Sequence, residues 1–256
     1  MNNTCTKIAL LLAALACMQI LSAAAVADEK GNAIIQKLDK LATAPADQYF
    51  VFELTTYEKG KDPKAMTFEV TIKGTKWRRV RFLTPGDVKG FRMLVRSLGQ
   101  MYVYLPAYRR VRRIASHVRD QGFMGSTYSY DEMAIVTYGD VFDCDLAEET
   151  DTHYRLKCKR REGQEFNYPV MEMDVRKDIH RPEELRFFND KGEKLKTDER
   201  SEYECKDENE ICNPQMMKIT DHTRGDMYST MVCKDWKKDQ GVKDKFFTVR
   251  SLQKGR

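Results

Sequence analysis

Local patterns for catalysis are missing from this sequence. It has no G-x-S-x-G elbow, no H-E-x-x-H pair and no phosphate-binding glycine loop, so the hydrolase, zinc-peptidase and nucleotide-dependent classes find no support. Histidine is scarce: the four residues His117, His153, His180 and His222 are scattered, and no C-x-x-C occurs, which argues against a metal site. Asp143, Asp145, Glu148, Glu149 and Asp151 lack the order and central glycine of a calcium loop and read as a solvated hairpin end. No catalytic residue, metal ligand or cofactor site is therefore expected. Linkers rich in proline, glycine and serine are also missing, as are internal repeats, so residues 28–256 are expected to form one domain. The formal charge of +5 is too small an excess to imply a nucleic-acid partner.

Long apolar runs are confined to the N-terminus. Lys7 precedes an apolar core from Ile8 to Leu21 and small residues ending Ala25-Val26-Ala27, the order of a secretory leader. The core falls short of the roughly 20 apolar residues that span a bilayer. Cys17 could be read as a lipidation site, but the apolar run continues past it to Val26. Cleavage after Ala27 and export to the periplasm are expected.

The remaining chain shows two periods. Ile34, Ile35, Leu38 and Leu41 form the stripe of one amphipathic helix from Asp28 to Leu41, with Asp28 or Asn32 as N-cap and Ala44-Pro45 as its stop. Beyond it the period falls to two. Met66, Phe68, Val70 and Ile72 alternate with polar residues, and Met171, Met173 and Val175 do the same. Further strands are expected at Tyr49–Glu58, Lys76–Leu83, Gly90–Arg96, Met101–Leu105, Tyr108–Ile114, Asp143–Glu148, Tyr154–Arg160, Glu184–Phe188, Lys194–Tyr203, Met216–Asp221 and Met227–Cys233. Such a series predicts a mainly β (α+β) fold, an antiparallel meander of about eleven strands or more. A sheet that wide curls because strands twist.

Five cysteines remain after Ala27, an odd number. A hairpin about Asp151 sets Cys144 opposite Cys158, a geometry that suits a disulfide. Among Cys205, Cys212 and Cys233, both Cys205–Cys212 and Cys212–Cys233 are feasible.

One face of the sheet collects Phe50, Phe52, Leu54, Phe68, Val70, Ile72, Phe91, Met93, Val95, Met101, Val103, Leu105, Met171, Met173, Val175, Leu185, Phe187, Met217, Ile219 and Met231. Taken singly, each of these residues is ordinary core. As a set, flexible methionines and flat phenylalanines on a curled sheet with one helix to cover it can line a cavity for acyl chains. Gln121-Gly122-Phe123-Met124-Gly125 and a short helix begun by Asp131 interrupt the strands. Phe123, Met124, Tyr128, Tyr130, Met133 and Ile135 in this segment serve either as a lid or as a pinned surface loop. Arg109, Arg110, Arg112 and Arg113 are either a solvated face or a basic rim that meets headgroups, an acidic partner or lid carbonyls.

Five blocks in order, Pro85-Gly86-Asp87-Val88-Lys89-Gly90, Met101 to Ala107, Arg109 to Ile114, Phe123 to Ser126 and Tyr128 to Glu132, resemble the outer-membrane lipoprotein-sorting family, the LolA/LolB-like periplasmic carriers. Lys245-Phe246-Phe247-Thr248 and Leu252 resemble that family's closing strand. The resemblance implies an unclosed β-barrel around a hydrophobic cavity with helices as a lid. It also implies a carrier of lipoprotein acyl chains or lipid, with an inner-membrane transporter, an outer-membrane acceptor and transient membrane contact as its partners.

Overall fold

Strands form wherever the alternation of apolar and polar residues persists. The computed structural model describes residues 29–75, 77–207 and 211–255. The expected leader, residues 1–27, lies outside the described residues. A first helix, α1 (29–42), precedes thirteen strands: β1 (Asp47–Tyr57), β2 (Lys64–Lys73), β3 (Trp77–Thr84), β4 (Arg92–Ser97), β5 (Gln100–Leu105), β6 (Arg110–Arg113), β7 (Phe142–Glu149), β8 (His153–Arg160), β9 (Val170–Arg176), β10 (Arg181–Phe188), β11 (Lys194–Lys206), β12 (Ile211–Asp221) and β13 (Met227–Lys238). They make one antiparallel sheet in the order β6-β5-β4-β3-β2-β1-β13-β12-β11-β10-β9-β8-β7. The expectation of about eleven strands is raised to thirteen.

This order is two meanders joined at a seam. β1 pairs with β13, with Leu54 opposite Met231, and β6 and β7 are left as the two edges. The connection between them, residues 114–141, therefore runs from one edge of the sheet to the other. It contains turns of 3-10 helix at Ser116–Val118 and Phe123–Gly125 and the short helix α2 (Tyr130–Ala134).

Two apolar clusters fill the inner face. Under α1, Ile34, Ile35 and Leu38 pack on Leu156, Met171, Met173, Val175 and Leu185 of β8 to β10. Helix and strand meet backbone to backbone, since a Cβ at Gly31 would collide with the Cys144 carbonyl. Asn32 is not a cap: its Oδ1 accepts from the Cys144 N–H at 3.0 Å, tying α1 to β7. The other expected cap, Asp28, is outside the described residues. The second cluster lies under the crossover, where Phe123 contacts the rings of Phe68 and Phe82 from β2 and β3.

The C-terminus departs from the expected closing strand. Asp244–Phe247 is a 3-10 turn and Val249–Lys254 is a helix, α3. Phe247 and Leu252 bury against Leu94, forming a third cluster apart from the inner two. Its spacing departs from strand alternation: Phe246 and Phe247 are adjacent, and Thr248 and Ser251 form a capping box that starts a helix.

Two disulfides join neighbouring strands. Cys144–Cys158 follows the β7–β8 register, as the hairpin about Asp151 requires. Cys205–Cys212 joins β11 to β12, which resolves the open choice in favour of that pair and leaves Cys233 as the free thiol of the described residues. Burial pushes the Cys233 thiol up to about 11, and its Sγ donates to the Asp235 carbonyl at 3.4 Å.

Candidate functional site: a concave cavity with a charged end

The inner face is not filled where its two clusters meet. A cavity of about 200 Å³ lies there, bounded by α1, the crossover and the strands of the seam. A larger depression of about 860 Å³ is lined by Lys237, Lys243, Lys245, Arg250 and Lys254 beside the C-terminal segment. It is the more open of the two and its cations are solvated. The inner cavity is the candidate site because enclosed apolar and charged groups converge on it.

Of the residues expected to line a lipid cavity, Phe50, Phe52, Val70 and Ile72 do face it, together with Met217 and Met231. Phe68, Phe91, Met93, Val95, Met101, Val103 and Leu105 belong instead to the cluster beneath the crossover. Met171, Met173 and Val175 lie under α1. Of the lid residues, Tyr128, Met133 and Ile135 line the cavity, whereas Phe123, Met124 and Tyr130 pack into the cluster beside it.

Polar latches hold the crossover in place. Ser129, rather than Asp131, caps α2, in a capping box with Glu132. Asp131 is buried and takes a bidentate contact from Arg119, at 2.8 and 3.1 Å. Lys196 of β11 donates to the Thr127 carbonyl at 2.6 Å and pairs with Glu132. At the far end of the segment Asp39 of α1 accepts from the N–H groups of Tyr138 and Gly139, at 2.9 and 2.7 Å. Burial outweighs those two bonds and raises the Asp39 carboxyl to about 6. Arg78 of β3 donates to the carbonyls of Met133 and Ile135. It keeps some surface in contact with solvent while its Nε is enclosed.

The expected basic rim is placed elsewhere. Arg109, Arg110, Arg112 and Arg113 are all exposed at the edge strand β6 and the turn before it, with Arg113 donating to the Gly99 carbonyl at 2.7 Å. Crossover carbonyls are reached by Arg78, which lies upstream, and by Arg224, whose Nη1 donates to the Ser126 carbonyl at 3.4 Å.

Sequence reasoning missed the charged end of the cavity. Arg181, Asp198, Arg200 and Tyr203 line it, with Tyr138 from the crossover. Arg200 donates to Asp198 Oδ2 at 2.7 Å and to the Tyr138 hydroxyl at 2.8 Å. A signal existed in Lys196-x-Asp198-x-Arg200: three charged residues at alternate positions share one face of β11, and Asp198 pairs in register with Leu185 and Ile219, both fully buried. Among the described residues no group of three or more His, Cys, Asp or Glu is placed to hold a metal ion, and no helix is long and apolar enough to cross a membrane.

Solved structures share this fold, three of them over most of the chain. A protein of the DUF1329 family from Desulfovibrio piger matches with a TM-score of 0.81 at 24% identity, covering 88% of this chain and 99% of that one. A domain described as an outer membrane lipoprotein-sorting protein from Vibrio parahaemolyticus matches with a TM-score of 0.79 at 20% identity, over 88% and 99% of the two chains. A LolA superfamily protein from Nitrosomonas europaea matches with a TM-score of 0.73 at 18% identity, over 86% and 98%. No curated protein matches the sequence. Residues 74–254 match the profile of a family described as uncharacterized-protein-like. That match spans more than half of the sequence, so the chain belongs to this family, and its fold is that of the LolA-type lipoprotein-sorting proteins.

Proposed function

We propose that the protein is a periplasmic carrier that takes acyl chains of lipoproteins or lipids into the concave cavity and moves them towards the outer membrane, with no chemical step. The observation that supports this reading is how the inner face is closed. A helix and a crossover held by polar latches cover it, with a cavity left at their junction, so the cover can move without dismantling the sheet. Each buried CH₂ of a chain gains about 0.8 kcal/mol, so about a dozen supply roughly 10 kcal/mol before ordering costs. The leader ending at Ala27 would deliver the chain to the periplasm. An inner-membrane transporter would load it and an outer-membrane acceptor would unload it, with transient membrane contact.

A second reading is a non-catalytic periplasmic β domain that binds a protein partner, such as a transporter, without carrying lipid. The modest cavity volume and the close packing under Phe123 favour it. Organic extraction of the protein purified from periplasm, followed by mass spectrometry, separates the two. The carrier is expected to bring bound lipid with it, and Met217→Asp, at a partly buried lining position, is expected to lose that lipid while staying folded. A lipid-free wild type, or a folded M217D variant with its full lipid content, refutes the carrier.

A further inference from the structure

The cavity is not uniformly apolar, and its polar end is under-satisfied. Arg181, at the start of β10, is 4% exposed. Its guanidinium donates only to neutral carbonyls, to Cys212 at 2.6 Å, His180 at 3.1 Å and Leu38 at 3.5 Å. Among the described residues no carboxylate pairs with it, and its Nη2 has no partner. The hydroxyl of Tyr128, 6% exposed, and Oδ1 of Asp198, 4% exposed, are likewise buried without a partner. Native interiors rarely leave such groups unpaired, because each costs the full desolvation of a polar atom.

The charge balance has a sign. Asp198 is committed through Oδ2 to Arg200, which leaves Arg181 and Arg78 as cations answered only by carbonyl oxygens. Burial draws both of these guanidiniums down to about 10, the response of a cation enclosed without a carboxylate partner of its own. A planar guanidinium with a free N–H edge matches a carboxylate or phosphate, and a tyrosine hydroxyl can donate to the same anion.

We propose that the charged end of the cavity receives one anionic headgroup, a carboxylate or a phosphate, held by Arg181 and Tyr128, while the attached chain lies along Phe50, Phe52, Met217 and Met231. The inference rests on the carrier reading and narrows it. The cargo is an acidic lipid whose headgroup enters the protein, rather than a chain whose head stays outside.

The test uses the delipidated wild-type protein and three probes of equal chain length, palmitate, hexadecyl phosphate and hexadecanol. Binding is followed by the fluorescence of Trp236, which stacks on Phe50 at 6.2 Å. At least one anion is expected to bind tenfold or more tighter than the alcohol, and which one does so names the headgroup. Arg181→Gln is expected to bring that anion down to the level of hexadecanol and to leave hexadecanol unchanged. If the alcohol binds as tightly as both anions, the headgroup site is refuted and the carrier stands. If none of the three binds, both fall. An Arg181→Gln protein that loses affinity for all three alike assigns Arg181 to holding α1 and overturns the inference. Should that variant not fold, the three probes on the wild type decide alone.

Discussion

The two halves of the inner face are covered in different ways. The β7–β10 half is closed by a regular helix with an apolar stripe, a close backbone contact at Gly31 and a disulfide at Cys144–Cys158. The half around β1–β5 is closed by an irregular crossover whose grip combines buried apolar residues, Phe123, Tyr128 and Met133 among them, with charged and capped contacts at Ser129, Asp131, Glu132 and Lys196. The first is a core that forms with the sheet. The second relies more on hydrogen bonds and ion pairs, contacts that water can replace. Under the proposed carrier function, the second side is the one that would lift to admit a ligand.

The largest effect that would break this contrast is expected from Phe123→Ala. Removing a fully buried phenylalanine costs about 3–5 kcal/mol in a fixed core. Here the loss should fall on the crossover, raising hydrogen exchange over residues 114–141 while β7–β10 stay protected. Equal loss of protection in both halves would mean that the crossover is ordinary core. A smaller effect of opposite location is expected from Cys144→Ala with Cys158→Ala. The bridge closes 14 residues, so its removal should cost about 3 kcal/mol of global stability, read as a lower urea midpoint. Protection of the crossover relative to the sheet should not change.

The smallest effect is a pH dependence where α1 meets the end of the crossover. The Asp39 carboxyl is raised to about 6 from an ordinary value near 4, so its neutral form is the one favoured by folding. Its contribution is fully present below about pH 4 and is lost as pH rises through about 6. Exchange at Tyr138 and Gly139, corrected for intrinsic rates, should therefore quicken across that window. Asp39→Asn, which keeps an acceptor without a charge, should flatten the profile. A profile unchanged in D39N would assign the dependence to another group.

Much of the fold was legible because a sheet with one buried face writes its pairing into alternate residues. Phe50, Phe52 and Leu54 on β1, or Met171 and Met173 on β9, needed no tertiary information. The cover was harder to read. Asp131 was expected to cap α2, yet Ser129 does so, because Arg119, twelve residues away, draws the carboxylate inward. Lys245-Phe246-Phe247-Thr248 and Leu252 were expected as a closing strand only through their resemblance to the family, and a 3-10 turn followed by a helix capped at Thr248 stands there instead. Arg200 resisted detection for a different reason. Charged residues on a strand are read as solvent-facing, and only the register that sets Asp198 between Leu185 and Ile219 turns that face inward.

The seam between β1 and β13 carries a consequence for how the molecule is made. Its partners lie at opposite ends of the described chain, Gln48 beside Lys238 and Tyr57 beside Tyr228, so the ordering of the centre waits on the last strand to emerge. Contacts of such sequence separation slow folding, because the entropy of closing the intervening loop is lost before any pairing repays it. Until β13 arrives, β1 is an unpaired edge rich in phenylalanine. A chain cut short before Met227 would leave that edge open to other strands, which makes premature truncation a route to aggregation rather than to a smaller working protein.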